Sequence, residues 1–107
     1  MKVDIDQWVR IKVGKLYTGD LGRIAEIIEG TAKVIVRIIP RISPEEKEIN
    51  FYSKFRFAKK FFDPTEFKEV GKKRDPATDI TYMMYKNMIF HDGYLLKKMH
   101  TKNLELK

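Results

Sequence analysis

Cysteine is absent from this sequence of 107 residues, and histidine occurs only twice. The absence of cysteine excludes disulfides, thiolate zinc sites and thiol catalysis, and it is typical of proteins in a reducing intracellular compartment. No segment approaches the roughly 20 consecutive apolar residues that a membrane-spanning helix requires. Asp4 and Asp6 stand where a signal peptide would have an apolar run, so the sequence indicates neither a membrane protein nor a secreted one.

Catalytic motifs are missing as well. Eight residues separate His91 from His100, and no acidic residue accompanies both at the spacing of metal ligands. Ser43 and Ser53 lack the context of a nucleophilic serine, and the sequence has neither a phosphate-binding glycine loop nor a dinucleotide fingerprint. We therefore expect a protein that is not an enzyme and that holds no metal or other cofactor.

Positive charge is what the sequence has in excess, with a formal net charge of +7 at pH 7. Residues 54–74 contain eight lysines and arginines against three acidic residues, and residues 97–107 contain four against one. Such an excess favours polyanionic partners, which in a cell are chiefly nucleic acid and membrane surfaces. Both basic blocks lie in the second half of the chain.

The first half is patterned as three short strands. Apolar and basic side chains alternate from Val9 to Lys12, which is typical of a strand with one buried face. Two runs rich in β-branched residues follow at 21–29 and 33–39, and Pro40 ends the second because proline cannot donate to a sheet ladder. Short strands joined by glycine-containing turns predict a mainly β protein built on a small barrel.

The second half combines a helix start with a hairpin. The run Asp63-Pro64-Thr65-Glu66 has an N-cap acid, a proline at the first helical position and a glutamate three residues after the cap, which predicts one short helix over about residues 63–70. We expect its Phe67 and Val70 to face the core. Residues 80–85 and 88–90 are typical of strands joined by a tight turn, and a further strand begins at 93 and ends at Lys97-Lys98.

These elements divide the chain into three parts that form a single compact unit. Residues 1–42 supply the barrel strands, residues 43–79 form a basic linker with the short helix, and residues 80–107 contribute the hairpin and the C-terminal strands that complete the module. Lys72, Lys73 and Arg74, the densest basic cluster, are expected in a loop.

The segment from Trp8 to Ile27, WVRIKVGKLYTGDLGRIAEI, resembles a KOW motif: an apolar–basic strand, a loop with glycines and a Gly-x-hydrophobic return strand. With VRIIPRI, FFDPTEFKEV and YMMYKNMIFHDGYLLKKM in that order, residues 7–106 resemble the first KOW domain and adjoining linker of the eukaryotic NusG homologue, the large subunit of the DSIF elongation factor. The Gly14–Gly22 loop is one residue longer than usual, so which glycine corresponds to the motif's stays open. The linker from Ser43 to Arg56 shows little likeness.

The resemblance implies an SH3-like β-barrel with a second, linker-built β-rich lobe. It also implies a module that rides on RNA polymerase II in the nucleus and holds upstream DNA, or RNA, through a basic face without sequence specificity. A neighbouring NusG N-terminal domain, which this sequence lacks, would bind the small partner subunit of the elongation factor. The chain would then be a monomeric fragment of a longer protein.

A candidate nucleic-acid-binding surface follows from charge density together with this resemblance. We assign to it the basic residues Arg10, Lys12, Lys15, Lys54, Arg56, Lys59, Lys60, Lys72, Lys73, Arg74, Lys97 and Lys98. The phenylalanines interleaved among them, Phe55, Phe57, Phe61, Phe62 and Phe67, are expected in the core rather than stacked on bases. Because the sequence has no base-reading helix, binding should follow backbone charge.

Other interpretations remain open. The module could be a protein-docking domain that grips RNA polymerase or other elongation factors, or a ribosomal KOW protein that packs on ribosomal RNA. Trp8, the sole tryptophan, is expected to anchor the core rather than form a recognition platform. Arg37 and Arg41 either take part in binding or form local salt bridges with Glu26 or Glu29.

Overall fold

The computed structural model describes residues 2–44 and 56–107, which fold into one antiparallel sheet of eight strands. The strands are β1 (Trp8–Ile11), β2 (Leu21–Ile28), β3 (Lys33–Ile38), β4 (Gly71–Asp75), β5 (Ile80–Tyr85), β6 (Met88–His91), β7 (Tyr94–His100) and β8 (Leu104–Leu106). Two short 3-10 helices cover Pro64–Glu66 and Thr101–Asn103. The order across the sheet is β4-β5-β6-β7-β3-β2-β1-β8.

Five of these strands form a barrel. β7, β3, β2, β1 and β8 are neighbours in that order, and β7 continues into β8 through the 3-10 helix Thr101–Asn103. Because the two outer strands of this set are consecutive in the chain, the set must curl on itself, as SH3-like barrels do. The predicted mainly β, SH3-like fold is confirmed.

Alternating side chains fill the barrel as the sequence pattern predicts. Val9 and Ile11 of β1 and Val34, Val36 and Ile38 of β3 are at most 1% exposed. Burial of each such side chain stabilises a fold by about 1.5–3 kcal/mol relative to exposure. The barrel is therefore specified largely by period-two patterning within its own strands.

Gly22 is the glycine that the barrel requires. A Cβ atom at this position would lie 2.6 Å from Val36 Cγ1 and 3.0 Å from the carbonyl oxygen of Arg37, so no side chain fits between β2 and β3. Gly14 and Gly19, in the preceding loop, have φ of 95° and 89° and open space around them. Of these three glycines, Gly22 is the one whose lack of a side chain the packing of β2 on β3 requires.

β4, β5 and β6 form a three-stranded meander attached to the β7 edge of the barrel. Its inner face is packed through Phe90, whose ring stacks on that of Phe62 with centroids 3.9 Å apart. Phe62 in turn stacks on Phe67 at 4.9 Å. The expected core role is confirmed for Phe62 and Phe67, whereas Phe61 is 51% exposed. Phe57 is half-buried and Phe55 lies outside the described residues.

The predicted helix over 63–70 is much shorter than expected. The Asp63 side chain accepts from the Thr65 backbone N–H at 2.9 Å, which confirms the N-cap, but the helix is a single 3-10 turn, Pro64–Glu66. Glu66 pairs with Lys60 instead of closing a capping box. The turn ends early because the chain must extend into β4, and Phe67 and Val70 pack against the core as predicted.

Two basic clusters lie within strands, although one was predicted in a loop and the other at the end of a strand. Lys72, Lys73 and Arg74 belong to β4, so their assignment to a loop is wrong. Lys97 and Lys98 lie in the middle of β7, which continues to His100 because it pairs with β3 over six residues. Neither cluster has the hydrophobic alternation that marks a strand in sequence.

Trp8 does not anchor the core and is 50% exposed. The alternation that buries Val9 and Ile11 places Trp8 and Arg10 on the outer face of the barrel. The Arg23 guanidinium lies over the Trp8 ring, 5.2 Å from its centroid. The strand period, which the sequence showed, thus overrides the general tendency of a lone tryptophan to be buried.

Candidate nucleic-acid interface

The described residues include all of the assigned basic residues except Lys54, which lies outside them. Those described fall into three places: β4 and β7, the segment after residue 55, and β1 with the loop that follows it. Their members are Lys72, Lys73 and Arg74 of β4, Lys97 and Lys98 of β7, Arg56, Lys59 and Lys60 of the segment, and Arg10, Lys12 and Lys15 of β1 and its loop.

A buried ion pair holds the loop after β1 to the chain beyond β3. Asp20 is 7% exposed, and Arg41 donates to both of its carboxylate oxygens, at 2.6 Å from Nε and 2.8 Å from Nη2. The Arg41 backbone N–H donates to the Tyr17 hydroxyl at 3.0 Å, and Nη1 donates to the Phe57 carbonyl at 2.9 Å. Of the two alternatives for Arg41, the salt bridge with Glu26 or Glu29 is wrong, because its partner is Asp20.

This geometry sets the ionisation of the groups involved. Burial alone raises the pKa of Asp20, but the hydrogen bonds and charge of Arg41, with the positive charges of Arg56 and Lys59, outweigh it and bring the pKa below its ordinary value. Burial likewise raises the pKa of Tyr17. The pair is thus fully ionised at neutral pH and holds the loop and the linker end together.

Three of the assigned cations already serve the fold. Arg56 Nη1 donates to the carbonyls of Leu16 and Thr18 at 3.1 and 3.0 Å and lies 3.7 Å from Asp20 Oδ1. Arg10 donates to the Gly19 carbonyl at 2.9 Å. Lys60 pairs with Glu66 at 2.6 Å. Arg37, for which a salt bridge with Glu26 or Glu29 was one of two alternatives, lies 3.6 Å from Asp6.

The cations of β4 and β7 are exposed and lie on both faces of the sheet. Strand alternation places Lys73 and Lys98 on the outer face and Lys72, Arg74 and Lys97 on the other. The Arg74 Nε donates to Asp79 Oδ1 at 2.6 Å, but this pair is exposed on both sides. Exposed pairs contribute only about 0–1 kcal/mol, so Arg74 can exchange its partner at little cost.

One cleft brings the two clusters together. Its volume is about 870 Å³, and its lining includes Lys73 and Arg74 from β4 and Lys97 and Lys98 from β7. The apolar part of the lining includes Met84, Ile89 and Leu96 of β5, β6 and β7. The barrel contributes as well, through Ile35 of β3 and Leu16 and Tyr17 of the loop after β1. Because β4 and β7 are three strand spacings apart, roughly 14 Å separates the two basic walls.

The sequence predicted these cations as binding residues, but it did not predict that the two clusters line the same cleft. The run Lys72–Arg74 and the pair Lys97-Lys98 were each recognisable as charge clusters, whereas their convergence depends on the pairing of β5 with both β4 and β6. The exposed outer-face aromatic residues of the meander were missed, and the signal for them was the alternation of Tyr82 with the core residue Met83.

The described ranges contain no group of three or more histidine, cysteine, aspartate or glutamate side chains arranged to hold a metal ion. Within the same ranges, no helix is long and apolar enough to cross a membrane. What the geometry offers is a cleft with basic walls and an apolar floor on the surface of a β-sheet.

Comparison with known proteins agrees with this architecture. The family model for the KOW1 domain of transcription elongation factor SPT5 matches residues 2–107. Transcription elongation factor SPT5 homolog 2 of Arabidopsis thaliana is 33% identical, over 92% of this chain and 11% of its own length. Transcription elongation factor SPT5 of Mycosarcoma maydis is 26% identical over 96% of this chain, and that of Saccharomyces cerevisiae 28% identical over 94%.

The chain spans 13% of the Mycosarcoma maydis relative and 10% of the Saccharomyces cerevisiae one, about a tenth of the curated relatives that it matches. The family is one of transcription elongation factors and not an enzyme family. The KOW motif read from residues 8–27 is the β1–loop–β2 unit, closed by Gly22, of the barrel described above. With the family match extending over the barrel, the linker and the meander alike, this chain belongs to the SPT5 KOW1 domain family of transcription elongation factors.

Proposed function

We propose that this module holds nucleic acid, upstream duplex DNA or RNA, beside RNA polymerase II in the nucleus, without sequence specificity. The observation that carries the proposal is that Lys73 of β4 and Lys98 of β7, on the same face of the sheet, line one cleft. Arg74 and Lys97 also line this cleft from the same two strands. In a longer protein, a neighbouring domain would bind the small partner subunit while this module contacts nucleic acid. We also propose that the chain is divided into barrel strands (1–42), a basic linker (43–79) and the strands that complete the module (80–107).

Exposed cations on a sheet suit this task for a physical reason. Lysine and arginine displace the counterions condensed on a phosphate backbone, and the released counterions drive binding whatever the base sequence. The cleft's cations come from paired strands, which hold their positions more firmly than a loop would. Arg56, Arg10 and Lys60 already contact protein groups, so we assign the phosphate contacts mainly to β4 and β7, with Lys72, Lys12, Lys15 and Lys59 as further candidates.

The test is fluorescence anisotropy of labelled duplex DNA and single-stranded RNA, titrated with the protein at low and high salt. The variant Lys73→Glu/Lys98→Glu should weaken binding of both polymers about tenfold or more and reduce the salt slope by about two, one for each lost phosphate contact. The matched control is Lys68→Glu/Lys102→Glu, which lowers the net charge equally at exposed residues outside the cleft.

The control variant distinguishes binding at the cleft from attraction by the protein's net positive charge. Retained binding in Lys68→Glu/Lys102→Glu with loss in Lys73→Glu/Lys98→Glu supports the cleft as the interface. Equal losses in both variants would mean that total charge, rather than this cleft, attracts the polymer. Absence of binding to either polymer at low salt would reject nucleic-acid holding altogether.

A second candidate function, docking onto RNA polymerase or another elongation factor, is favoured by the outer face of the barrel. Trp8 is 50% exposed and Leu21 is 45% exposed on adjacent strands, with Arg23 over the Trp8 ring. Tryptophan and arginine are the residues most often found at the energetic centres of protein interfaces. Docking through this face should be almost independent of salt, unlike phosphate contact.

A further inference from the structure

A row of aromatic rings crosses the outer face of the meander. The rings of Tyr82 on β5 and His91 on β6 lie 5.6 Å apart, and His91 is paired directly with Tyr94 on β7. Phe61, which precedes the meander, meets the Tyr94 ring edge to face at 5.1 Å. Four rings from four separate segments thus lie along one row, in which strand pairing places His91 beside Tyr94.

Strand register explains why this row faces outward. Met83 and Phe90 are paired on the inner face, where Phe90 is fully buried, so Tyr82 and His91 must lie on the opposite face. The same alternation separates Phe62, which is 7% exposed, from Phe61, which is 51% exposed. The core is filled by the inner set, and it does not require the outer rings.

Two cations lie beside the row. Lys73 is paired with Tyr82 at the β4 edge. The Arg37 guanidinium lies over the Tyr94 ring, 6.0 Å from its centroid, and its contact with Asp6 at 3.6 Å is partly exposed, so Arg37 can exchange that partner at little cost. Aromatic faces between basic side chains are how proteins hold single-stranded nucleic acid, because every base offers a flat face and every nucleotide a phosphate. A row built only to shield the hairpin would not need cations beside its rings.

We propose that Phe61, Tyr82, His91 and Tyr94 form a stacking platform for the bases of single-stranded nucleic acid, with Lys73 and Arg37 meeting its phosphates. The inference rests on the proposed nucleic-acid function and extends it from charge alone to the bases. Duplex bases are stacked on one another and offer no free face, so the platform acts only on unpaired strands. The distance from Tyr82 to Tyr94, two strand spacings or roughly 10 Å, suits two or three bases.

The decisive experiment replaces rings while keeping an apolar side chain. Tyr82→Leu/Tyr94→Leu should lower the affinity for a uridine oligomer or a thymidine oligomer at least about tenfold, because each stacked base contributes about 1–3 kcal/mol. Affinity for duplex DNA and the salt slope should stay within about twofold of the wild type. Tyr82→Phe/Tyr94→Phe, which keeps both rings and loses only the hydroxyls, should bind like the wild type.

The two oligomers also distinguish the source of the strand. An equal loss for uridine and thymidine oligomers identifies stacking common to RNA and DNA, whereas a loss for the uridine oligomer alone identifies RNA as the ligand. An unchanged affinity for both oligomers in the Leu variant overturns the platform. Should that variant fail to fold by circular dichroism, Phe61→Leu, outside the strands, gives the same test, with a loss of about fivefold or more expected from one ring.

This outcome is separable from failure of the proposed function. If Lys73→Glu/Lys98→Glu abolishes binding while Tyr82→Leu/Tyr94→Leu leaves it intact, only the platform is wrong. If single strands bind without salt dependence and only Tyr82→Leu/Tyr94→Leu weakens their binding, the platform is supported. The proposal that the cleft binds phosphates is then wrong.

Discussion

The barrel and the meander use their side chains in opposite ways. Among the described residues, the buried apolar side chains other than Phe62, Phe90 and Pro40 belong to the barrel strands or to the loop after β1. β4, at the edge of the meander, has no buried residue and carries three exposed cations. The barrel therefore supplies most of the stability, and the meander is free to present charge and aromatic faces to a partner.

Two ion pairs make the contrast concrete. Asp20 and Arg41, in the barrel, are 7% and 12% exposed, and their hydrogen bonds join the loop to the linker end. Arg74 and Asp79, in the meander, are 62% and 75% exposed. The first pair cannot release its charges without leaving one of them buried. The second can release its charges, which suits a cation for which we propose a phosphate contact.

The largest expected difference in unfolding free energy between the two regions comes from neutralising one acidic residue in each. Asp20→Asn should destabilise the fold by about 2–4 kcal/mol at neutral pH, because it removes the charge that Arg41 pairs with. Asp79→Asn should change stability by less than about 1 kcal/mol, since the pair is exposed and asparagine tolerates the φ of 61° at this position. Urea unfolding at neutral pH measures both, and similar values for the two variants would contradict the contrast.

The same pair predicts a pH dependence. Because the pKa of Asp20 is lower in the folded chain than in the unfolded chain, the unfolded state takes up the proton more readily. The stabilisation is present above the unfolded value of about 4 and is lost as pH falls through the folded value. The difference in unfolding free energy between wild type and Asp20→Asn should therefore shrink below about pH 4, and a constant difference down to pH 2 would show that Asp20 acts without its charge.

The barrel strands could be predicted from the sequence because the alternation that specifies them lies within each strand. Period-two alternation fixed β1 and β3 and their buried residues, and the turn at Lys86-Asn87 was placed correctly because the strands on either side are apolar. β4 was missed for the converse reason. Its residues Lys72, Lys73 and Arg74 have no apolar alternation, and only pairing with β5 makes them a strand.

The candidate site shows the same limit. Composition identified the basic residues, yet whether Arg56 serves the fold or a ligand depends on carbonyls of Leu16 and Thr18 that lie far away in sequence. The partner of Arg41 is likewise Asp20, which no local spacing indicates. Charge is visible in a sequence, but the partner of a charge is a property of the folded chain.

Glycines offer a second test of the two regions. Gly22→Ala should cost about 1–3 kcal/mol, because its Cβ would collide with Val36 and with the backbone of Arg37, which cannot move aside. Gly71→Ala, in β4, meets nothing nearer than 3.9 Å and should be neutral or stabilise slightly. Thermal unfolding of both variants decides the matter, and a large cost at Gly71 would show that β4 is packed more tightly than an exposed edge.

Trp8 provides the smallest expected change and the sharpest test of the barrel's outer face. Trp8→Ala should alter the unfolding free energy by less than about 1 kcal/mol, since half of the side chain is already in solvent. Val9→Ala, one residue along and fully buried, should cost about 2 kcal/mol or more through lost burial and the cavity that remains. Because Trp8 does not line the cleft, Trp8→Ala should leave binding of single strands and duplexes unchanged. Chemical unfolding and anisotropy on the same samples measure both quantities. A stable variant that loses nucleic-acid binding would extend the interface across the barrel, whereas one that keeps it leaves this face available for a protein partner.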